Sequence, residues 1–508
     1  MSKDSQPQLD RRQVLASAGG GSAALLLAQN AAQAQPASGG GAGGTTVFTH
    51  TSVFVTADQV HDDIGLAIAG GKIAAMGPSD EILQRYPGAD VYDGRGKAIL
   101  PGLINCHAHL TAAIERGFNE DFGFPNSAHL ALSPSRLLSD EERTLMANIG
   151  ILEAIKCGST SFVEYASGIS GYAGMLANSG VRMIFAEGIA DTDNVPGPMS
   201  PELLAKSSPP VYSPAKRDEG MQRISDLYSA WHGKMGGRIS VFPTASLAET
   251  SSPELLKAVR AFADAHDLGY SIHLQQSIAE NDYMKRYHGV TPIGFLAQAG
   301  FLGPRLFAAH CRYMEPGDFA LLGKAQVMVS HQAPMAADRG ADTPVPELRQ
   351  AGVTMVYGSD NNTNDIFEVM RVAMLSERLH RKNDPVPGLH PQPEDVFEDC
   401  TVGGARAIHQ EKALGSLAVG KNADLIVLDT QRAHLVPCGR ILSAWIHNGQ
   451  PSDIESVMVD GAFVMRSRKV LTMDEAAIIA EADKVGKRIW GQVKAAGPIP
   501  IPGRPRGA

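Results

Sequence analysis

Two histidines one residue apart, His107 and His109, stand near the end of the segment Ala98-Ile99-Leu100-Pro101-Gly102-Leu103-Ile104-Asn105-Cys106-His107-Ala108-His109-Leu110. The apolar run over 99–104 reads as a short buried strand. Side chains at i and i+2 of a strand share a face, so two imidazoles at its end can grip one metal ion. Four later segments have the same form, an apolar run ending in a residue that binds metal or moves protons. They are Ser271-Ile272-His273, Phe307-Ala308-Ala309-His310, Val327-Met328-Val329-Ser330-His331 and Met355-Val356-Tyr357-Gly358-Ser359-Asp360. His107, His109, His273 and Asp360 form a three-nitrogen, one-oxygen ligand set. That set suits Zn²⁺, and Fe²⁺ takes the same ligands. A metal so held leaves room for water and lowers its pKa towards neutrality, giving a hydroxide that attacks electron-poor carbon.

Helix-like stretches separate these runs, among them 281–298 and 365–379. Strands alternating with helices predict an α/β chain with a parallel sheet or a (β/α)8 barrel, whose chemistry sits at the C-terminal strand ends. Every one of these histidines and Asp360 falls there. Eight strands are expected, at 99–105, 160–164, 181–187, 239–244, 270–273, 306–310, 327–331 and 354–358. A helix is expected at 142–155, stopped by Gly158. Two longer segments break the rhythm, 111–138 and the proline-rich 191–214. Both follow strand ends and are expected to overhang the site.

The segments PGLINCHAHL, IHL, AAHC and GSD and the late GSLAVGKNADLIVLD together resemble the amidohydrolase superfamily. The likeness is to its cytosine deaminase, S-adenosylhomocysteine deaminase and chlorotriazine hydrolase branch, over about 46–470. The resemblance implies a TIM-like (β/α)8 barrel beside a small β-sandwich built from both ends of the chain. It implies that Asp360 is both ligand and the base that accepts the water proton, and that His310 polarises the substrate. Binuclear relatives carry a bridging carboxylated lysine on the fourth strand. The segment Ile239-Ser240-Val241-Phe242-Pro243-Thr244 has no lysine, so one metal per chain is expected. His331, Asn361 and Asn362 are weaker candidates for substrate contact. His331 equally fits an outer-shell partner, and the two asparagines equally fit a loop-shaping role. His129, His232 and His434 are read as structural.

Two departures from the branch matter. Its deaminases read HxxE after the fifth strand, the glutamate passing protons to the leaving amine. Here the segment is His273-Leu274-Gln275-Gln276. A neutral amide holds a substrate but is no acid or base near pH 7, so Gln276 is read as a positioning member of the catalytic set. Glu280, one helical turn on, replaces the missing carboxylate only if the loop bends. The usual HxPxSN also gives way to His331-Gln332-Ala333-Pro334-Met335-Ala336. The expected reaction is hydrolysis of a C–N bond in an amide, a urea-like group or an aminoheterocycle. Displacement of halide from a triazine-like ring, standard nucleobase deamination and a catalytically silent metal-binding protein remain as alternatives.

The chain has 508 residues, 44% of them hydrophobic, enough for a large core. A net charge of -9 without a basic cluster argues against nucleic acid as a partner. A small-molecule substrate and a homo-oligomer are expected, with no membrane span in the mature chain. The five cysteines are scattered and odd in number, and suggest no disulfide framework. Asp10-Arg11-Arg12-Gln13-Val14-Leu15 resembles a twin-arginine export signal, with Ala32-Gln33-Ala34 as a small-residue cleavage site. The expected organisation is a signal peptide at 1–34, a Gly-rich linker at 35–44 and the first sandwich part at 45–98. The barrel follows at 99–414, the second sandwich part at 415–470, and a C-terminal helix and tail at 471–508. A periplasmic or secreted location follows from the signal. An Arg11→Lys, Arg12→Lys double variant should remain unprocessed in the cytoplasm, as fractionation and N-terminal sequencing would show. Mature protein beginning near Gln35 outside the membrane would contradict the export reading.

Overall fold

The computed structural model describes residues 44–122, 130–382 and 388–499, so the proposed signal and most of the linker lie outside the described residues. Eight parallel strands form one sheet in sequence order. They are β1 (Leu103–Ala108), β2 (Ser159–Ala166), β3 (Arg182–Ile189), β4 (Ile239–Leu247), β5 (Tyr270–Leu274), β6 (Leu306–His310), β7 (Met328–His331) and β8 (Thr354–Tyr357). β1 and β3 are buried along their whole length. This is why the strands read as continuous apolar runs: a parallel sheet is covered on both faces. The eighth strand returns to the first. Asp360 N donates to His107 O at 2.9 Å and His109 N to Asp360 O at 3.2 Å, beyond the end of β8. The result is a (β/α)8 barrel.

A nine-stranded sheet is built from the two ends of the chain. Its order is Lys469–Val470, Ala462–Arg466, Ile454–Val459, Leu425–Asp429, Lys97–Pro101, Thr46–Phe54, Val60–Ala69 and Lys72–Pro78, with Asp90–Asp93 beside Thr46–Phe54. Phe48 and Phe463 are four strand spacings apart in that order, about 19 Å in a flat sheet. Their ring centroids are 6.3 Å apart. The sheet therefore curls over an apolar interior that includes Leu66, Ile99, Leu425 and Met458, as a small sandwich. The Ala423-Asp424-Leu425 part of the tail motif ties it to the barrel. Arg182, at the start of β3, donates to both Asp424 oxygens at 2.9 and 3.0 Å, and Gly102 N donates to Asp424 O.

The structure corrects two of the expected elements. The run 99–105 is not one strand. Lys97–Pro101 pairs with Leu425–Asp429 in the sandwich, and β1 begins only at Leu103. Pro101 and Gly102 make the break, and Gly102 has no room for a side chain, since a Cβ there would lie 2.2 Å from Thr160 Oγ1. The helix-like stretch 281–298 is two helices, Ile278–His288 and Pro292–Gln298. Gly289, at φ 73°, caps the first in the left-handed region and Pro292 opens the second. The helix before β2 spans Asp140–Lys156, capped by Ser139 and Glu142 as a capping box. The final helix, Glu475–Ala496, packs on it through Val485 and Ile489, and Trp490 Nε1 donates to Ile114 O just beyond the His107/His109 segment.

Gly358 lets β8 approach β1. A Cβ at this position would lie 2.6 Å from His107 Cβ and 2.8 Å from its carbonyl oxygen. Gly358→Ala should therefore destabilise the fold by about 1–3 kcal/mol through overpacking and displace His107. Thermal unfolding and metal content of the purified variant are the readouts. Wild-type values for both would show that this approach does not position the site.

Candidate metal centre

The barrel register brings the strand-end residues together. His273 pairs with Leu247 and Ala309, His310 with Leu274, and His331 with Tyr357. Ligand atoms of His107, His273 and His310 lie within 4.8 Å of one another, and so do those of His107, His109 and Asp360. All four expected ligands are thus assembled, with His310 equally close. Asp360 Oδ1 is 3.5 Å from His109 Nε2, and Oδ2 is 3.8 Å from His310 Nδ1.

Hydrogen bonds at the outer edge of the cluster fix how the rings face. His109 Nδ1 is 2.7 Å from Tyr165 O, and His273 Nδ1 is 3.1 Å from Ser246 O. A carbonyl only accepts, so both Nδ1 atoms carry the proton in the neutral ring and both Nε2 atoms present lone pairs. Those two Nε2 atoms are 3.3 Å apart. Lone pairs facing at this distance repel unless a proton or a metal cation lies between them, and burial disfavours the proton on His273. Both ring nitrogens of His107, Nδ1 of His310 and Oδ2 of Asp360 are buried without a hydrogen-bond partner. Burial, then the neighbouring imidazoles, holds His107 well below its ordinary pKa, and burial first pushes His273 down to about 3. Neutral imidazoles are the ligating form. The donor set fits a divalent metal.

Four residues around the cluster have strained backbone. Asp360, His310, Cys311 and Gln275 have φ of 61°, 80°, 50° and 49°, a region costing non-glycine residues on the order of 1–3 kcal/mol. Hydrogen bonds hold these turns, including Cys311 N to Leu274 O at 2.8 Å and Arg312 N to Gln275 O at 3.1 Å. Asn105 braces the other side. Its Oδ1 accepts from His107 N at 3.2 Å and Ser359 N at 3.1 Å, and its Nδ2 donates to Ser359 Oγ at 2.8 Å.

The remaining sequence candidates are placed as follows. His331 is buried with both ring nitrogens unpartnered. Asn362 Nδ2 donates to Asp338 Oδ2 at 2.8 Å, whereas Asn361 Oδ1 has no partner. Gln276 keeps a buried, unpartnered Nε2. Glu280 does not replace the missing carboxylate: it accepts from Gln275 N and Gln276 N, both at 2.8 Å, and anchors the turn after β5. Cys106 and Cys311 are buried among apolar side chains, as packing residues. His232 and His434 also have structural partners, Val241 N and Asp453, while His129 lies outside the described residues. Sequence reasoning missed Arg312 and Arg339. The available signal was position, two residues after His310 and eight after His331.

Residues 98–464 match the amidohydrolase family model, and the chain belongs to this family. A 5′-deoxyadenosine deaminase of Methanosarcina barkeri is 30% identical over 441 residues, covering 85% of this chain and 94% of that protein. A 5-methylthioadenosine/S-adenosylhomocysteine deaminase of Pelotomaculum thermopropionicum is 30% identical over 442 residues, covering 85% and 95%. Among solved structures, a zinc-bound adenosine deaminase from Xanthomonas campestris superposes with a TM-score of 0.77 at 22% identity, covering 88% of this chain and 98% of its own. The zinc complex of atrazine chlorohydrolase from Arthrobacter aurescens TC1 gives 0.76 at 20%, covering 87% and 100%. These two share the fold.

Asn105→Ala removes the acceptor of two buried N–H groups flanking the cluster. Metal affinity should fall by about 10–100-fold, the usual effect of losing a group that orients a ligand, in competition titrations against a chromophoric chelator. Unchanged affinity would mean that Asn105 serves the fold and not the ligand geometry.

Proposed function

We propose that the protein is a mononuclear zinc hydrolase that cleaves a C–N bond of an amino-substituted nitrogen heterocycle or a related amide or urea-like group. The observation that carries this reading is the pair of opposed His109 and His273 Nε2 atoms, 3.3 Å apart beside Asp360. It is a lone-pair arrangement that a bound cation relieves. The absence of lysine from β4 supports a single ion. The deaminase relatives support an aminoheterocycle as the favoured substrate class. The twin-arginine resemblance supports export of the folded protein, and a homo-oligomer is part of the same proposal.

His107, His109, His273 and Asp360 would hold the metal, which when bound supplies an activated water and Lewis-acid polarisation. Asp360 divides its work between its oxygens. Oδ1 faces His109 on the ligand side, and the unpartnered Oδ2 accepts the proton of the attacking water. His310, 3.8 Å from that oxygen, stabilises charge developing on the substrate. Gln276 offers a free amide for positioning. Because Gln276 cannot ionise and Glu280 is engaged with backbone amides, Asp360 also returns the proton to the departing nitrogen. The balance is one water consumed, its hydroxyl added to carbon and its proton carried to the leaving amine.

A screen of amides, ureas and aminoheterocycles should detect release of ammonia or amine, whereas chloride release from chlorotriazines alone would replace the reading. On the substrate found, Asp360→Ala should lose several orders of magnitude in kcat/KM. Gln276→Ala should lose about 10–100-fold, the equivalent of one buried hydrogen bond at about 1–3 kcal/mol. Gln276→Glu should alter the pH profile by adding an ionisable group. A loss in Gln276→Ala as large as that in Asp360→Ala would place the amide in the chemical step.

A further inference from the structure

Two arginines buried elsewhere among the described residues are matched to carboxylates. Arg182 pairs with Asp424 and Asp460, and Arg349 with Asp399 and Glu377. Two arginines at the C-terminal end of the barrel depart from this pattern. Arg312, two residues beyond His310, is 7% exposed. Arg339 directly follows the helix Ala333–Asp338 after β7. Arg312 Nη2 donates to Gln276 O at 2.7 Å, which fixes the guanidinium beside the turn after β5. Its Nε is buried with no partner, as are Nε and Nη2 of Arg339. Unused, desolvated guanidinium donors are costly unless something fills them.

The charges around them indicate what would. Burial lowers the pKa of both arginines; Arg312 is further destabilised by Arg339, and both are favoured by Asp360. Asp338 also favours Arg339, but its carboxylate accepts from Asn362 and lies near Glu120. Asp360 is thus the counter-charge common to both. It is also a proposed metal ligand, so a divalent cation would engage it and leave Arg312 only Glu280, which accepts from the Gln275 and Gln276 amides, and Arg339 only Asp338. Buried His310 and His331 feel the positive charge of Arg312 as well. Arg339 Nε and Nη2 and Arg312 Nε are the donor type that binds planar carboxylate or phosphate oxygens.

Building on the reading of the centre as a C–N hydrolase, we propose that Arg312 and Arg339 form an anion subsite beside it. The substrate then carries a carboxylate or phosphate close to the bond that is cleaved. The subsite selects among nitrogen compounds: a neutral heterocycle leaves both guanidiniums unpaired, whereas an anionic one satisfies them.

Calorimetric titration of the metal-loaded full-length protein tests this with matched probes: uracil against orotate, benzamide against 4-carbamoylbenzoate, and inorganic phosphate alone. In wild type at least one carboxylated member should bind about tenfold or more tighter than its neutral partner, as expected for charge-assisted hydrogen bonds. That preference should collapse in Arg339→Gln and in Arg312→Gln, while circular dichroism and metal content stay at wild-type values. Phosphate binding that is lost in the same variants, without a carboxylate preference, would identify a phosphate-bearing substrate. Equal binding within every pair together with no phosphate binding would overturn the subsite. So would a preference that survives both substitutions, because the anion would then sit on the metal. Failure of the hydrolysis screen is a separate result, since these titrations need no turnover.

Discussion

The site depends on how the barrel closes. The last strand meets the first through two backbone hydrogen bonds, Asp360 N to His107 O and His109 N to Asp360 O. The residues that close the barrel are therefore the residues proposed to bind metal. Their side chains are set relative to one another by the same contact that ends the sheet. Gly358 permits the approach, and Asn105 holds the two strand ends by bonding His107 and Ser359 together. Chemistry at a strand end is thereby built on the most constrained part of the fold and not on a free loop.

This arrangement is unfavourable without an occupant. Buried imidazoles with unpartnered nitrogens, two opposed lone pairs and four strained residues all act against stability. The surrounding apolar barrel and the curled end sheet offset that deficit. The Arg182–Asp424 pair joins them at the far end, so the tail motif has a structural role there. A buried ion pair of this kind is weak evidence for stability by itself. Its value here is registry, since it aligns the start of β3 with the chain's late segment. Arg312 and Arg339, with buried unpartnered donors and Asp360 as a shared favourable charge, stand out against that pair.

Much of this was legible in the sequence because parallel barrel strands leave a simple trace. An apolar run ending in His or Asp marks both the strand and the face of the barrel on which its last residue sits. His107, His109, His273, His310 and Asp360 were found this way, and the structure gathers all five. Boundaries fared less well where hydrophobicity continued across a change of sheet. Residues 99–104 are apolar throughout, so only Pro101 and Gly102 signalled that the chain passes from sandwich to barrel. The helical stretch 281–298 contained a break that Gly289 and Pro292 do mark in the sequence. The role of Glu280 was hidden too: spacing alone does not tell a proton donor from a carboxylate that anchors a turn. Arg312 and Arg339 escaped notice because an arginine after a strand is ordinarily a solvated residue, and only its surroundings show that it keeps buried donors without partners.

The central claim is that His107, His109, His273 and Asp360 hold one cation, with His310 beside it. X-ray absorption at the zinc edge on purified protein, combined with elemental analysis, tests it most directly. The account predicts about one ion per chain, with nitrogen and oxygen neighbours at about 2.0–2.2 Å and a signal from several imidazoles. It also predicts loss of that signature in His107→Ala. Two tightly bound ions with a metal–metal contact, or a shell without histidine, would contradict it.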